Sequence, residues 1–86
     1  MMPETENTRI AVIAIIVEQS ESAVEINELL HEYAAYIIGR MGIPYPAKAL
    51  SLISVAMDAP SDTISALTGK LGKVPGVSVK TAYSKR

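Results

Sequence analysis

The sequence predicts an α+β domain, a four-stranded antiparallel sheet with two helices on one face, in the order strand, helix, strand, strand, helix, strand. Three observations predict it. Ile10–Val17 is an unbroken apolar run of strand length, rich in Ile and Val, whose branched Cβ atoms suit a pleated surface, and Ala49–Met57 is a second strongly apolar stretch of that length. Each is followed by a segment in which apolar residues recur every three or four positions behind a serine, the mark of an amphipathic helix. The link between the second and third strands is Pro44-Tyr45-Pro46, whereas a parallel pair needs a crossover of about a dozen residues or more.

The chain has 86 residues, 49% of them hydrophobic, with no Cys, Phe or Trp. That length suits one domain burying roughly 60–65% of the surface its unfolded form exposes. The domain is expected over residues 9–86, after a loose polar tail, Met1–Thr8. In the first strand, Ile10, Val12, Ala14 and Ile16 lie on one face and Ala11, Ile13, Ile15 and Val17 on the other. Both faces are apolar, so this strand asks for cover on both sides.

Glu18-Gln19-Ser20-Glu21-Ser22 breaks the run, and Ser22 with Glu25 gives the reciprocal capping box of a helix start. Ala23, Ile26, Leu30, Tyr33 and Ile37 form the expected buried stripe. Glu21, Glu25, Glu28 and Glu32 mark another face; like charges at these spacings repel, so they read as its solvent side rather than a cation site. From about Ala35 the helical pattern fails, and Tyr36–Ile43, with Gly39 and Gly42, suits a short bent strand. Pro44-Tyr45-Pro46 reads as a turn, with the Tyr45 ring lying back on the domain or gripping a partner.

The third strand sets Leu50, Leu52, Ser54 and Ala56 against Ala49, Ser51, Ile53, Val55 and Met57, again with no charge on either face. Asp58-Ala59-Pro60-Ser61 reads as a turn, capped by Ser61 or Asp62, into a helix burying Ile64, Leu67 and Leu71. Gly72 is expected as the left-handed residue that ends it. In the last strand, Val77–Ser84, apolar residues alternate with polar ones, as on a half-solvated edge. The whole is a split-βαβ, ferredoxin-like arrangement. Its two helices cover one sheet face and leave Ile, Val, Leu and Met on the other, so a homo-oligomer, at least a dimer, is expected.

Composition also excludes. Without Cys there are no disulfides, thiolate metal sites or cysteine nucleophiles. A net charge of −1 gives no global pull toward nucleic acid, and a single strand-face aromatic, Tyr83, is a poor platform for stacking bases. The basic run Lys70, Lys73, Lys80, Lys85 and Arg86 reads as solvated. No apolar run approaches the ~18 residues of a membrane span, and the N-terminus lacks signal-peptide features, so a cytoplasmic protein is expected. Gly69-Lys70 lacks the full phosphate-loop spacing; Gly69 reads as close helix packing and Lys70 as solvated. His31 is the sole histidine and has no assigned partner, so no catalytic set assembles and an enzyme is not expected.

The stretch S-D-T-I-S-A-L-T-G-K-L-G-K-V-P-G-V-S-V-K-T from Ser61 to Thr81, V-E-I-N-E-L-L-H at Val24–His31 and G-R-M-G at Gly39–Gly42 resemble a family of small iron-only hydrogenase system regulators, with Asp62–Gly72 the most specific part. That family looks ACT-like in fold, related to the ligand-sensing domain of nickel-responsive repressors. The resemblance implies a regulatory or sensor role, with a small effector bound after the first strand at a subunit interface. The corresponding residues are Glu18, Gln19, Ser20 and Ser22. Ser22 stands where the ACT pattern has a glycine, which speaks against the usual amino-acid ligand. The nickel-responsive relatives use several His and a Cys; with His31 alone no intrachain nickel site is expected, and His31 reads as a surface residue. No metal or cofactor is implied. With no second DNA-binding domain in the sequence, any control of transcription would act through a protein partner or an unusual basic surface. The alternative is a pure assembly module, with no ligand.

Overall fold

A computed structural model describes residues 7–85 of the chain. Its elements are β1 (Thr8–Val17), α1 (Ala23–Glu32), β2 (Ile37–Tyr45), β3 (Leu50–Pro60), α2 (Ser61–Gly72) and β4 (Val77–Tyr83). Single 3-10 turns at Ser20–Ser22, Ala34–Tyr36 and Pro46–Lys48 join some of them. The sheet order is β2-β3-β1-β4 with every pair antiparallel, the ferredoxin-like arrangement that the element order predicts. The most apolar strands, β1 and β3, are central. Of the expected tail, residues 1–6 lie outside the described residues, and Thr8 already pairs with Pro60.

One face of the sheet is the core. Ala11, Ile13, Ile15 and Val17 of β1 and Val55, Met57 and Ala59 of β3 pack with Ile26 and Leu30 of α1 and Ile64, Leu67 and Leu71 of α2. Each large side chain buried in this way contributes about 1.5–3 kcal/mol. On the opposite face the register lays Ile43, Leu52, Ile16 and Ser78 in one row across the four strands, and Met41, Ser54, Ala14 and Lys80 in the next. No described element covers that face: Ile43 is 47% exposed, Leu52 39%, Ile16 40% and Met41 60%.

Several local expectations are corrected. Pro44 and Tyr45 belong to β2, opposite Ser51 and Leu50, and the turn proper is Pro46–Lys48 closed by Ala49 in the left-handed region (φ 54°). Pro44 is tolerated there because β2 is an edge strand, with one side free of ladder bonds. Asp58, Ala59 and Pro60 likewise continue β3, paired with Ile10, Arg9 and Thr8. The register between β2 and β3 shifts at Ile37/Gly39, a bulge that supplies the expected bend.

Helix starts also differ. Ser22 precedes α1 but lies in the right-handed helical region (φ −77°, ψ −12°), because the chain enters through the 3-10 turn, and its side chain makes no capping bond. A capping serine needs extended backbone. Buried Ser22 instead takes the place expected of Ala23 in the stripe with Ile26 and Leu30, and Ala23 is exposed. Neither Ser61 nor Asp62 caps α2: Ser61 is already helical behind extended Pro60, and no side-chain cap forms. Gly72 is the last residue of α2 and has no positive φ; the left-handed glycine is Gly76, at φ 70°. A Cβ on Gly69 would meet nothing within 4 Å, so it is not a close-packing glycine.

Candidate functional site

The sequence places a candidate site in the connection between β1 and α1. There the chain leaves the sheet and is fastened at two points to the turn between α2 and β4. The Glu18 backbone N–H donates to the Gly76 carbonyl at 2.7 Å. The Ser22 hydroxyl donates to the Pro75 carbonyl at 2.6 Å, a bond spanning 53 residues of sequence. Glycine suits position 76, whose φ of 70° side chains rarely adopt and where a Cβ would stand 2.6 Å from Cγ of Gln19. Within the connection, the Ser22 N–H donates to the Gln19 carbonyl at 3.0 Å, closing the 3-10 turn.

Opposite this connection stands the β2–β3 turn, and an open depression of about 370 Å³ lies between them. Glu18, Gln19, Ser20 and Glu21 form one wall; Pro44, Tyr45, Pro46 and Ala49 form the other. Tyr45 is half exposed here and lines the depression. The lining holds two carboxylates, an amide, hydroxyls and proline and tyrosine rings, and it contains no Lys or Arg. Three of the four predicted residues, Glu18, Gln19 and Ser20, thus come together. Ser22 does not line the depression: it is buried behind the connection on the Pro75 carbonyl. The proline-tyrosine wall was not predicted as part of the site, because it comes from a segment about 25 residues further along the chain that only the folded sheet brings near.

Other candidates resolve as surface. Glu21, Glu25, Glu28 and Glu32 are all exposed. Glu32 pairs with Lys70 at 3.6 Å, and the Lys70 ammonium lies 5.1 Å from the Tyr33 ring centre. The interaction with Tyr33 does most to hold the Lys70 pKa above its ordinary value; desolvation, next in size, opposes it, and the Glu32 charge adds to the rise. Among the described residues no three His, Cys, Asp or Glu side chains gather to hold a metal ion. No helix among them is long and apolar enough to cross a membrane.

A family model described as TM1266-like, iron-only hydrogenase system regulator, matches residues 9–81. Among solved structures, that of the uncharacterized protein TM1266 from Thermotoga maritima is 35% identical, covering 91% of this chain and 99% of its own at a TM-score of 0.87. The C-terminal domain of the MgtC protein from Mycobacterium tuberculosis, at 11% identity, covers 94% of this chain and 93% of its own, with a TM-score of 0.73. CPII, a nitrogen regulatory PII-like protein from Thiomonas intermedia K12 bound to ADP, AMP and bicarbonate, is 18% identical over 91% of this chain and 92% of its own, with a TM-score of 0.53. The last two likenesses are of fold alone. No curated protein matches the chain.

Proposed function

Because the chain belongs to the TM1266-like family of iron-only hydrogenase system regulators, we propose that it works as an oligomeric, ACT-like regulatory module, joined to a second copy through its uncovered sheet face and taking a small effector beside Glu18, Gln19 and Ser20. The observation that carries this reading is the outer face itself. Ile10, Val12, Ile16, Met41, Ile43 and Leu52 stand exposed on adjoining strands, a contiguous apolar surface of the kind that marks an interface rather than a solvated monomer.

Charge narrows the effector. The PII-like neighbour is bound to adenine nucleotides, but the depression here offers Glu18 and Glu21 with no basic residue. An anionic phosphate would meet two like charges. A neutral or cationic molecule with a flat apolar part, lying on Pro44, Tyr45 and Pro46, fits better. A site shared between copies would supply any further groups from the partner.

Two measurements test this. Sedimentation velocity at micromolar concentration is expected to give a dimer or larger, and a stable monomer overturns the assembly half. A thermal-shift screen with amines, amino acids and adenine nucleotides is expected to favour amines over nucleotides. If nothing shifts while the oligomer persists, the second reading holds: an assembly module without a ligand, acting on a protein partner.

A further inference from the structure

Between α1 and β2 lies a separate depression of about 320 Å³, lined by Asn27, Leu30, His31, Ala34, Ile37 and Arg40. Its shape depends on the bulge in β2. Strict alternation would put Ile37 and Arg40 on opposite faces of the sheet. With Ile38 as the extra residue, Ile37 stands opposite Met57 and Arg40 opposite Val55, so both turn to the helix-covered side. The same extra residue sends Met41 and Ile43 to the apolar outer face.

Arg40 is held in place there: its Nη2 donates to Oδ1 of Asn27 on α1 at 2.9 Å. That partner is neutral, and Arg40 forms no ion pair among the described residues. A guanidinium keeps its charge at any working pH and carries five N–H donors in a planar fork, so the single bond to Asn27 leaves most of its capacity open to a ligand. His31, one helical turn beyond Asn27, lines the same depression with a ring that donates or accepts. Leu30, Ala34 and Ile37 supply an apolar floor beside these polar groups. Glu28 and Glu32 lie outside the lining, and Glu32 is turned to Lys70.

We propose that this depression binds a small organic anion, its oxyanion end held by Arg40 and His31 and its short apolar part resting on Leu30, Ala34 and Ile37. The site does not depend on the effector depression proposed above, whose acidic lining selects against such a ligand.

The test is a titration of the full chain, followed by amide and side-chain NMR shifts, with acetate, butyrate and inorganic phosphate as probes. Saturable shifts confined to Asn27, His31, Arg40 and their neighbours are expected, with butyrate binding several-fold more tightly than acetate because its tail reaches the apolar floor. Saturable phosphate binding at the same residues, tighter than butyrate, supports the proposal and makes the natural head group a phosphate. R40Q is expected to weaken binding at least tenfold with an unchanged melting temperature. R40K, which keeps the charge and loses the fork, is expected to fall between. K48Q, on the Pro46–Lys48 turn, leaves binding as it was. Shifts that never saturate, shifts spread over Lys70, Lys73 and Lys80, or equal affinities for R40Q and the unaltered chain overturn the proposal.

Discussion

The two faces of the sheet are made from the same strands and nearly the same residues, yet they meet different fates. In β1, Ile13 and Ile15 are at most 1% exposed, while their neighbours Ile10 and Val12 are 42% and 44% exposed. β-branched content explains why the segment is a strand; it does not decide which side becomes core. Cover decides that. The inner side has α1 and α2, and the outer side has nothing among the described residues.

The sharpest way to break this contrast is to shave both sides. Ile13→Ala is expected to cost about 2–5 kcal/mol in urea denaturation, since its surroundings cannot close over the cavity. Val12→Ala should change stability by about 0.5 kcal/mol at most in the dissociated chain, where that face is wet, and by more in the assembly proposed above. A Val12 cost close to that of Ile13 would mean the outer side is packed in solution. Leu52→Asp asks the same question through assembly. It plants a charge in the middle of the outer row and is expected to convert the oligomer to a folded monomer by sedimentation; an unchanged oligomer would move the interface elsewhere.

Ser22→Ala compares a buried polar tether with this apolar packing. It should cost about 1–2 kcal/mol by leaving the Pro75 carbonyl without its donor, read as a lower denaturation midpoint. The smallest effect belongs to Lys70. Its raised pKa means the folded chain prefers the charged ammonium, so its contribution is present below the ordinary lysine value and fades as pH rises through the raised one. K70Q should therefore melt slightly below the unaltered chain at neutral pH, and the gap should vanish in strongly alkaline solution.

Alternation and helical spacing carried the inner and outer faces, the stripes Ile26–Leu30 and Ile64–Leu67–Leu71, and the element order, because these signals are local. What escaped was set by distant partners. Ser22 reads as a cap until Pro75, far along the chain, claims its hydroxyl. Gly72 reads as the left-handed residue, yet the positive φ falls at Gly76, where the Gln19 side chain, distant in sequence, stands too close for a Cβ. The bulge at Ile38 is defined against β3, so no inspection of β2 alone reveals that Arg40 turns toward α1. For the same reason only half of the first depression was legible, Glu18, Gln19 and Ser20 without Tyr45, and the second was not legible at all, since His31 taken alone reads as a surface residue.

The margins of the sheet are unequal as well. β2 carries a bulge and Pro44, which leave its outer rim without a regular ladder of donors, whereas β4 runs from Val77 to Tyr83 in unbroken register with β1 and contains no proline. A plate that accepts a further strand along a single border has one docking direction, so pairing there between two copies uses up the available border on both. An edge interrupted by a proline and a surplus isoleucine is a poor template for strand-by-strand growth, so ribbon growth along the β2 border is expected to be disfavoured.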